Sequence, residues 1–323
     1  MNIIKRGICG TCVWELDDEK TLVIRPQNGK SGVMQSDRGW PWRTCCHIKR
    51  VVIEDGVKTG TYAGKMFAGM DDCTMFNVEK LDVSAAENMH GMFNGCSSME
   101  NTAGLEKWDV SNLAVTSYMF SGCSSLKDIS ALAGWDVSEV CNMGSMFEFC
   151  SLLTDISTLK KWNISNVTNT CCMFRCCESL TDISPLSGWD MSDIREKDGM
   201  FACTNINYDV LDAFIPMACP REGAFIGYKK CRDERIVQLE VPEDARRSSA
   251  YGKKCRCDRA KVLGIWTLDG EETEYAVSIF DPDFVYYKGK AVEVQNFNKN
   301  RFNECAVGIH FFMTRKEAED YVW

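Results

Sequence analysis

A Met-Phe pair returns along this chain at a nearly constant step: Met66-Phe67, Met92-Phe93, Met119-Phe120, Met146-Phe147, Met173-Phe174 and Met200-Phe201, spaced by 26 residues once and 27 thereafter. Self-similarity at such a period marks stacked units, none of which can bury its apolar face alone. Other rows keep the step. Trp108, Trp135, Trp162 and Trp189 recur every 27 residues, with Leu81 in the slot of the first unit. Leu126, Leu153 and Leu180 form a row with Met99; Ile129, Ile156 and Ile183 form another, and Leu105, Leu132, Leu159 and Leu186 a fourth. Apolar rows at several offsets turn several sides of each unit inward. The expected fold class is a repeat solenoid of short parallel strands and loops, followed by a small α+β domain.

Three segments follow from where the repeat begins and ends. Residues 1–62 lack it and form a capping segment, in which "CVWELDD", "KTLVIRP" and "IKRVVIED" read as strands and Trp14, Trp40 and Trp42 offer apolar surface to cover an open end. Residues 63–207 are the repeats. Their signature decays after Met200, where Cys203 follows the Met by three residues instead of four and "YDVLDAFIPMACP" has no Trp-Asp signal. Residues 208–323 form the terminal domain, with strands in "RIVQLEV", "AKVLGIWTL", "KAVEVQNF" and "GIHFF", a turn at Asp269-Gly270, and a closing helix in "TRKEAEDYV" whose Thr314 and Glu317 have capping-box spacing.

Nineteen cysteines suggest a disulfide framework, but the number is odd and Cys96, Cys123, Cys150 and Cys177 each lie four residues after a repeat Met. Equivalent residues of stacked strands sit roughly 4.7–4.9 Å apart, too far for the Cβ spacing of about 3.8 Å that a disulfide needs. Free thiols used as small buried hydrophobes are expected, in a reducing compartment.

The unit "MFSGCSSLKDISALAGWDVSEVCNM" and its sisters resemble the BspA-like leucine-rich repeat, which couples an MFxxCxxL segment to W-[DN]-x-S; "GTCVWELDDEKTLVI" resembles the leader that precedes such repeats. That resemblance, over roughly residues 7–207, implies a leucine-rich solenoid used for recognition, often in bacterial surface proteins. "CPREGAFIGYKKC", "IVQLEVPEDARRSSAYGKKCRC" and "RFNECAVGIHFF" resemble a C-terminal domain of unknown function found after pentapeptide-repeat arrays in phage and bacterial proteins. It implies a reusable module appended to different solenoids.

Charge narrows the partners. The net charge of −9 lies wholly in residues 1–217, since residues 218–323 carry 18 basic and 18 acidic residues. The acidic repeat half does not suit nucleic acid, whose phosphates need clustered Lys and Arg; a protein partner is expected. Asp82, Asp109, Asp136 and Asp190 follow the Trp slot, with Asn163 as a neutral member; Asp and Asn share turn-forming ability, and turn-forming is the reading preferred to a cation ladder. Asp128, Asp155 and Asp182, in "DIS", lie beside the Ile row with no neutral substitute. They read as a solvated face or as an acidic stripe for a basic partner.

The terminal domain holds the remaining chemistry. Arg246, Arg247, Ser248, Ser249, Lys253, Lys254 and Arg256, with Gly252 and Arg259, form the dense basic cluster of the chain, a solvated loop or an anion-binding one. Cys219, Cys231, Cys255, Cys257, Cys305 and His310 could supply zinc ligands, but Cys-x-Cys with distant singletons is weaker than paired knuckles, and no metal or other cofactor is expected. His310, within apolar "GIHFF", reads as a core histidine. "CAVGIHFFMTRKEAEDY" is similar in outline to a strand and helix of ADP-ribosyltransferases, with "RRSSA" as the dinucleotide contact; in such enzymes a catalytic Glu lies well downstream of that helix, whereas this sequence stops at Trp323, so the resemblance implies at best a degenerate or rearranged site. Walker, GxSxG and HExxH motifs are absent. No apolar run has the length of a signal peptide or a membrane span. The expectation is a cytoplasmic, non-enzymatic recognition or scaffold protein without a membrane partner, the alternative being an effector whose terminal domain handles a nucleotide.

Overall fold

The computed structural model describes residues 2–35, 39–207, 210–211, 214–215, 217–249, 252–298 and 306–322. The chain divides into two compact units, Met1–Leu211 and Asp212–Trp323.

The first unit begins with a sheet in the order β1 (Ile3–Cys9), β2 (Cys12–Asp17), β3 (Thr21–Pro26), β5 (Arg50–Ile53) and β7 (Met75–Asn77); β4 (Gly32–Met34) pairs in parallel with β6 (Val57–Thr59). The first three strands are antiparallel, while β3, β5 and β7 run parallel, so the sheet converts a hairpin into the parallel register of the repeats. Beyond it the expected strands shrink to single parallel bridges, Asn88 to Val115, Val115 to Asn142, Asn142 to Asn169 and Asn169 to Glu196. The physical reason is a left-handed residue three positions along in each coil, at Gly91, Tyr118, Ser145, Cys172 and Gly199, which ends the extended run almost as soon as it starts.

Coils join through alternate backbone amides. Lys65 and Phe67 N–H groups donate to the His90 and Met92 carbonyls, those of Gly91 and Phe93 to Ser117 and Met119, and so on to Phe174 donating to Met200. Side chains reinforce this ladder one coil back. The thiols of Cys96, Cys123, Cys150 and Cys177 donate to the carbonyls of Phe67, Phe93, Phe120 and Phe147 at 3.1–3.2 Å. Burial pushes the Cys123 and Cys177 thiols up to about 12, so they remain protonated donors. The indoles of Trp108, Trp135, Trp162 and Trp189 likewise donate to Val78, Leu105, Leu132 and Leu159. Each Trp ends a short 3-10 turn that drives Leu105, Leu132, Leu159 or Leu186 into the core. The phenylalanines stack through the centre from Phe67 to Phe201 with centroids 5.5–5.7 Å apart, within the range of favourable offset aromatic pairs.

The cap solves an edge problem. In every later coil the carbonyls equivalent to Gly64 and Met66 receive an amide from the coil before; the first coil has none before it. The Trp40 and Trp42 indoles supply those donors at 2.7 Å each, and Trp42 stacks on Phe67 at 6.5 Å, extending the aromatic column. The tryptophans therefore cover the open end in two ways, with apolar surface and with hydrogen bonds.

At the far end the structure corrects one expectation. Cys203 is not a slipped member of the thiol row. It occupies the left-handed row of Gly69, Gly95, Gly122, Phe149 and Cys176, with φ of 60°. Thr204 takes the thiol's place, its hydroxyl donating to the carbonyl of Phe201 at 2.8 Å. The sixth coil thus keeps the register.

The second unit pairs four strands in the order β15 (Ala291–Glu293), β12 (Arg259–Trp266), β9 (Ile236–Val241) and β8 (Phe225–Lys230), and three in the order β10 (Arg247–Ser249), β11 (Cys255–Cys257) and β16 (Ile309–Phe311). Tyr228 and Phe312 exchange amide hydrogen bonds and tie the two sheets together. β13 (Tyr275–Val277) and β14 (Val285–Tyr287) form a separate hairpin. Val237, Leu239, Val262, Ile265, Ile309 and Phe311 anchor the core. The helix α1 (Arg315–Glu319) starts at a capping box between Thr314 and Glu317. At its other end Lys230 Nζ meets the carbonyls of Glu319 and Tyr321, where a cation is favoured.

Trp42→Phe keeps a ring on Phe67 and deletes the donor to the Met66 carbonyl. Leaving that buried acceptor unpaired costs about 1–3 kcal/mol, seen as a lower urea midpoint with an unchanged m-value.

Candidate functional site

The repeats reserve their chemical variety for one face. The core rows repeat the same residues, whereas the left-handed position of successive coils holds Lys65, Gly91, Tyr118, Ser145, Cys172 and Gly199. Non-glycine side chains there cost roughly 1–2 kcal/mol each, so four of the six coils carry a side chain at the expense of backbone comfort. Around Tyr118, Ser145 and Cys172 lies a polar groove of about 500 Å³. His90 and Ser117 pair at 2.8 Å, Asn169 donates to Glu196 at 2.5 Å, and buried Glu148 meets Arg175 at 3.5 Å. Arg175 also lies over the exposed ring of Phe149 at 6.0 Å. Burial, with Lys65 nearby, holds His90 below its ordinary value. Burial and the adjacent Cys172 thiol push Cys171 up to about 12, and burial with Cys203 pushes Cys176 up to about 11.

Both aspartate rows serve turns. Asp109, Asp136 and Asp190 accept the amide two residues ahead, from Ser111, Ser138 and Ser192, and Asn163 accepts that of Ser165 in the same geometry. Hydrogen bonds from those serines hold the three carboxyls below the usual carboxylate range. Asp128, Asp155 and Asp182 are exposed, yet each accepts the amide of Ser130, Ser157 or Ser184 at 2.8 Å and opens a 3-10 turn. The expectation that this row has no neutral member is corrected: a parallel bridge pairs Asn101 with Asp128, and Asn101 makes the equivalent bond to Ala103. A turn needs only the side-chain carbonyl oxygen, which Asn supplies as well as Asp.

The basic cluster is distributed over two strands and the loop joining them, and much of it is engaged within the domain. Arg246 pairs with buried Asp258 at 2.7 Å, Arg259 with Asp244 at 2.6 Å and Lys253 with Glu317 at 3.1 Å. Arg247 donates to the carbonyls of Gly223, Pro242 and Ala245. Ser248, Ser249 and Arg256 are buried, and Ser249 accepts the Ala218 amide. The structure therefore brings these residues together in sequence without gathering them around one open loop. Among the described residues no group of three or more His, Cys, Asp or Glu is placed to hold a metal ion; Cys305 lies outside them. His310 is half-buried, opposite Arg256 in the β11–β16 pairing.

The cavity of the second unit was not foreseen from these motifs. It has a volume of about 400 Å³, and Lys229, Lys254, Phe280, Phe284, Tyr286 and His310 are among its lining residues. Lys229 comes from β8, where alternation turns Phe225, Gly227 and Lys229 to one face. It is 7% exposed, and its ammonium donates to the His310 carbonyl at 3.3 Å and lies 5.7 Å from the Tyr286 ring centre. Desolvation, opposed by the Cys231 and Cys257 thiols and aided by Lys254, lowers its pKa from the ordinary 10.5. The pattern Phe-x-Gly-x-Lys in a strand, a lysine in phase with inward positions, is the signal that could have found it.

Comparison with known proteins matches the two units to two families. Residues 61–158 and 127–214 match a family described as Mycoplasma protein of unknown function, DUF285, and residues 215–318 match a second described as Family of unknown function, DUF5758. An uncharacterized protein, L223, of Acanthamoeba polyphaga mimivirus is 37% identical over 99 residues, covering 27% of this chain and 62% of that relative's length. A crystal structure of a leucine-rich repeat protein from Eubacterium ventriosum is 13% identical, covering 61% of this chain and 94% of that one; its TM-score of 0.15 carries no argument about fold. Among the described residues no helix is long and apolar enough to cross a membrane.

Two measurements check these roles. Asp155→Asn retains stability, because the amide oxygen still accepts the Ser157 N–H, while Asp155→Ala loses about 1 kcal/mol. Lys229→Met raises the melting temperature near neutral pH, because below its lowered pKa the native state must hold a buried charge that the unfolded chain solvates. That advantage shrinks as the pH climbs through the lowered pKa and is lost above 10.5, where the wild-type lysine is neutral in both states.

Proposed function

We propose that this chain is a non-enzymatic recognition protein, a BspA-like leucine-rich solenoid that takes a protein partner along one face, with the second unit as an appended docking module. The observation that carries this reading is the contrast between rows. Phe, Leu, Trp and Cys repeat where they pack, while the groove changes chemistry from coil to coil through Tyr118, Ser145, Cys172 and Arg175. A surface whose side chains differ at each step, held on a rigid stack, suits sequence-specific protein recognition. Exposed Tyr118 and Phe149 beside Arg175 add the aromatic and guanidinium groups that dominate binding at protein interfaces. The Cys171 thiol, held up by burial, is a poor nucleophile, which supports contact over catalysis at that point of the groove. The acidic balance of this half argues against nucleic acid as the partner.

The Asp128, Asp155 and Asp182 row remains a second candidate contact, because each carboxylate is exposed while it caps its turn. Affinity capture separates the two faces. With the full chain as bait, the double variant Tyr118→Ala, Arg175→Glu is expected to lose a host protein that Asp128→Asn, Asp155→Asn, Asp182→Asn retains. An identical captured set for wild type and the groove variant would exclude the groove, and turnover of nicotinamide dinucleotide by the full chain would move the function to the enzymatic alternative.

A further inference from the structure

Several cations of the second unit are matched with carboxylates. Arg246, Lys253, Arg259, Lys288 and Arg315 each meet a carboxylate within 3.1 Å. On the same strand, Lys230 closes the end of α1 through two carbonyls. Lys229, only 7% exposed, has no carboxylate among the described residues and meets one neutral acceptor, the His310 carbonyl. A buried ammonium without a counter-charge is strongly destabilising, and a Met would fill the space without that penalty. Lys254, the second cation of the cavity, is also without a carboxylate among the described residues. Its ammonium meets the Tyr321 hydroxyl at 3.4 Å and lies over the Tyr321 and Phe280 rings at 5.4 and 5.8 Å.

The walls complete the picture. Phe284 and Tyr286 pack edge to face at 5.2 Å inside, and Phe280, 67% exposed, stands at the mouth with exposed Val307. Asp281, the cavity's carboxylate, is at the exposed rim, where it accepts the Asp283 amide. A buried and a half-buried cation thus share the cavity with aromatic walls. A volume of about 400 Å³ falls among small-molecule sites.

We propose that this cavity binds a small organic anion, its charged group meeting the Lys229 and Lys254 ammoniums and its flat apolar body lying against Phe280, Phe284 and Tyr286. The ligand supplies the counter-charge that the fold withholds from Lys229. Carboxylate and phosphate share the chemistry the two ammoniums recognise.

Isothermal titration of the full chain with phenyl phosphate, benzoate and neutral benzyl alcohol tests this. At least one anion binds about tenfold or more tighter than the alcohol, a margin of about 1.4 kcal/mol, and which anion does so tells phosphate from carboxylate recognition. Lys229→Met abolishes that margin, while Lys253→Met, whose lysine is paired with Glu317, preserves it. Lys254→Met weakens the anion severalfold and serves as the second variant should Lys229→Met fail to fold. Anions that bind no better than benzyl alcohol, or a margin that survives both Lys229→Met and Lys254→Met, would overturn the proposal.

Discussion

The first unit depends on hydrogen bonds made between coils. Because alternate amides of each coil go to the next, no coil satisfies its whole backbone alone, and the structure is sound only where a neighbour exists. Side chains follow the same rule: from the second to the fifth coil, a thiol and an indole reach back to carbonyls of the coil before. This explains why Cys and Trp hold their rows. Either residue is a compact apolar body with one N–H or S–H donor, and the site it fills needs both.

That dependence makes the ends the critical places, and the amino-terminal end is answered in kind. Trp40 and Trp42 imitate the missing coil, giving indole donors where backbone amides would stand. The sheet behind them shifts from antiparallel to parallel pairing between β2 and β5, so the register of the stack is set before the first Met-Phe pair.

Much of this was legible in the residues. Period 27 located the coils, the constant rows named the core, and Thr314 with Glu317 marked the last helix. What escaped followed from geometry that spacing does not encode. Asp128 reads as a free charge until its bond to the Ser130 amide is seen, and Asn101 is hidden because its neighbouring residues differ from "DIS". Cys203 looks displaced because identity was counted where backbone conformation was the invariant: its row is defined by positive φ, which Gly, Phe and Cys all occupy here. In the second unit a dense run of Arg and Lys drew attention by composition, yet carboxylates and carbonyls folded in from distant segments take up much of it. Lys229 made no such run. Its importance comes from what surrounds it, and Tyr286 and His310 lie 57 and 81 residues away.

The constant separation between partners along the stack has a consequence for how such a chain can change. Each added coil closes a loop of the same length as the last, so its entropic cost does not grow with the array, and every interior junction has the same donors and acceptors. Whole coils can be duplicated or excised without altering the Trp40 and Trp42 seats, provided the cut removes a full period. A cut that left the Met-Phe segments of adjoining coils out of register would part the aromatic column. The groove can thus lengthen or shorten in steps of one coil, each step adding or removing one left-handed side chain, while the cap and the second unit keep their own internal contacts.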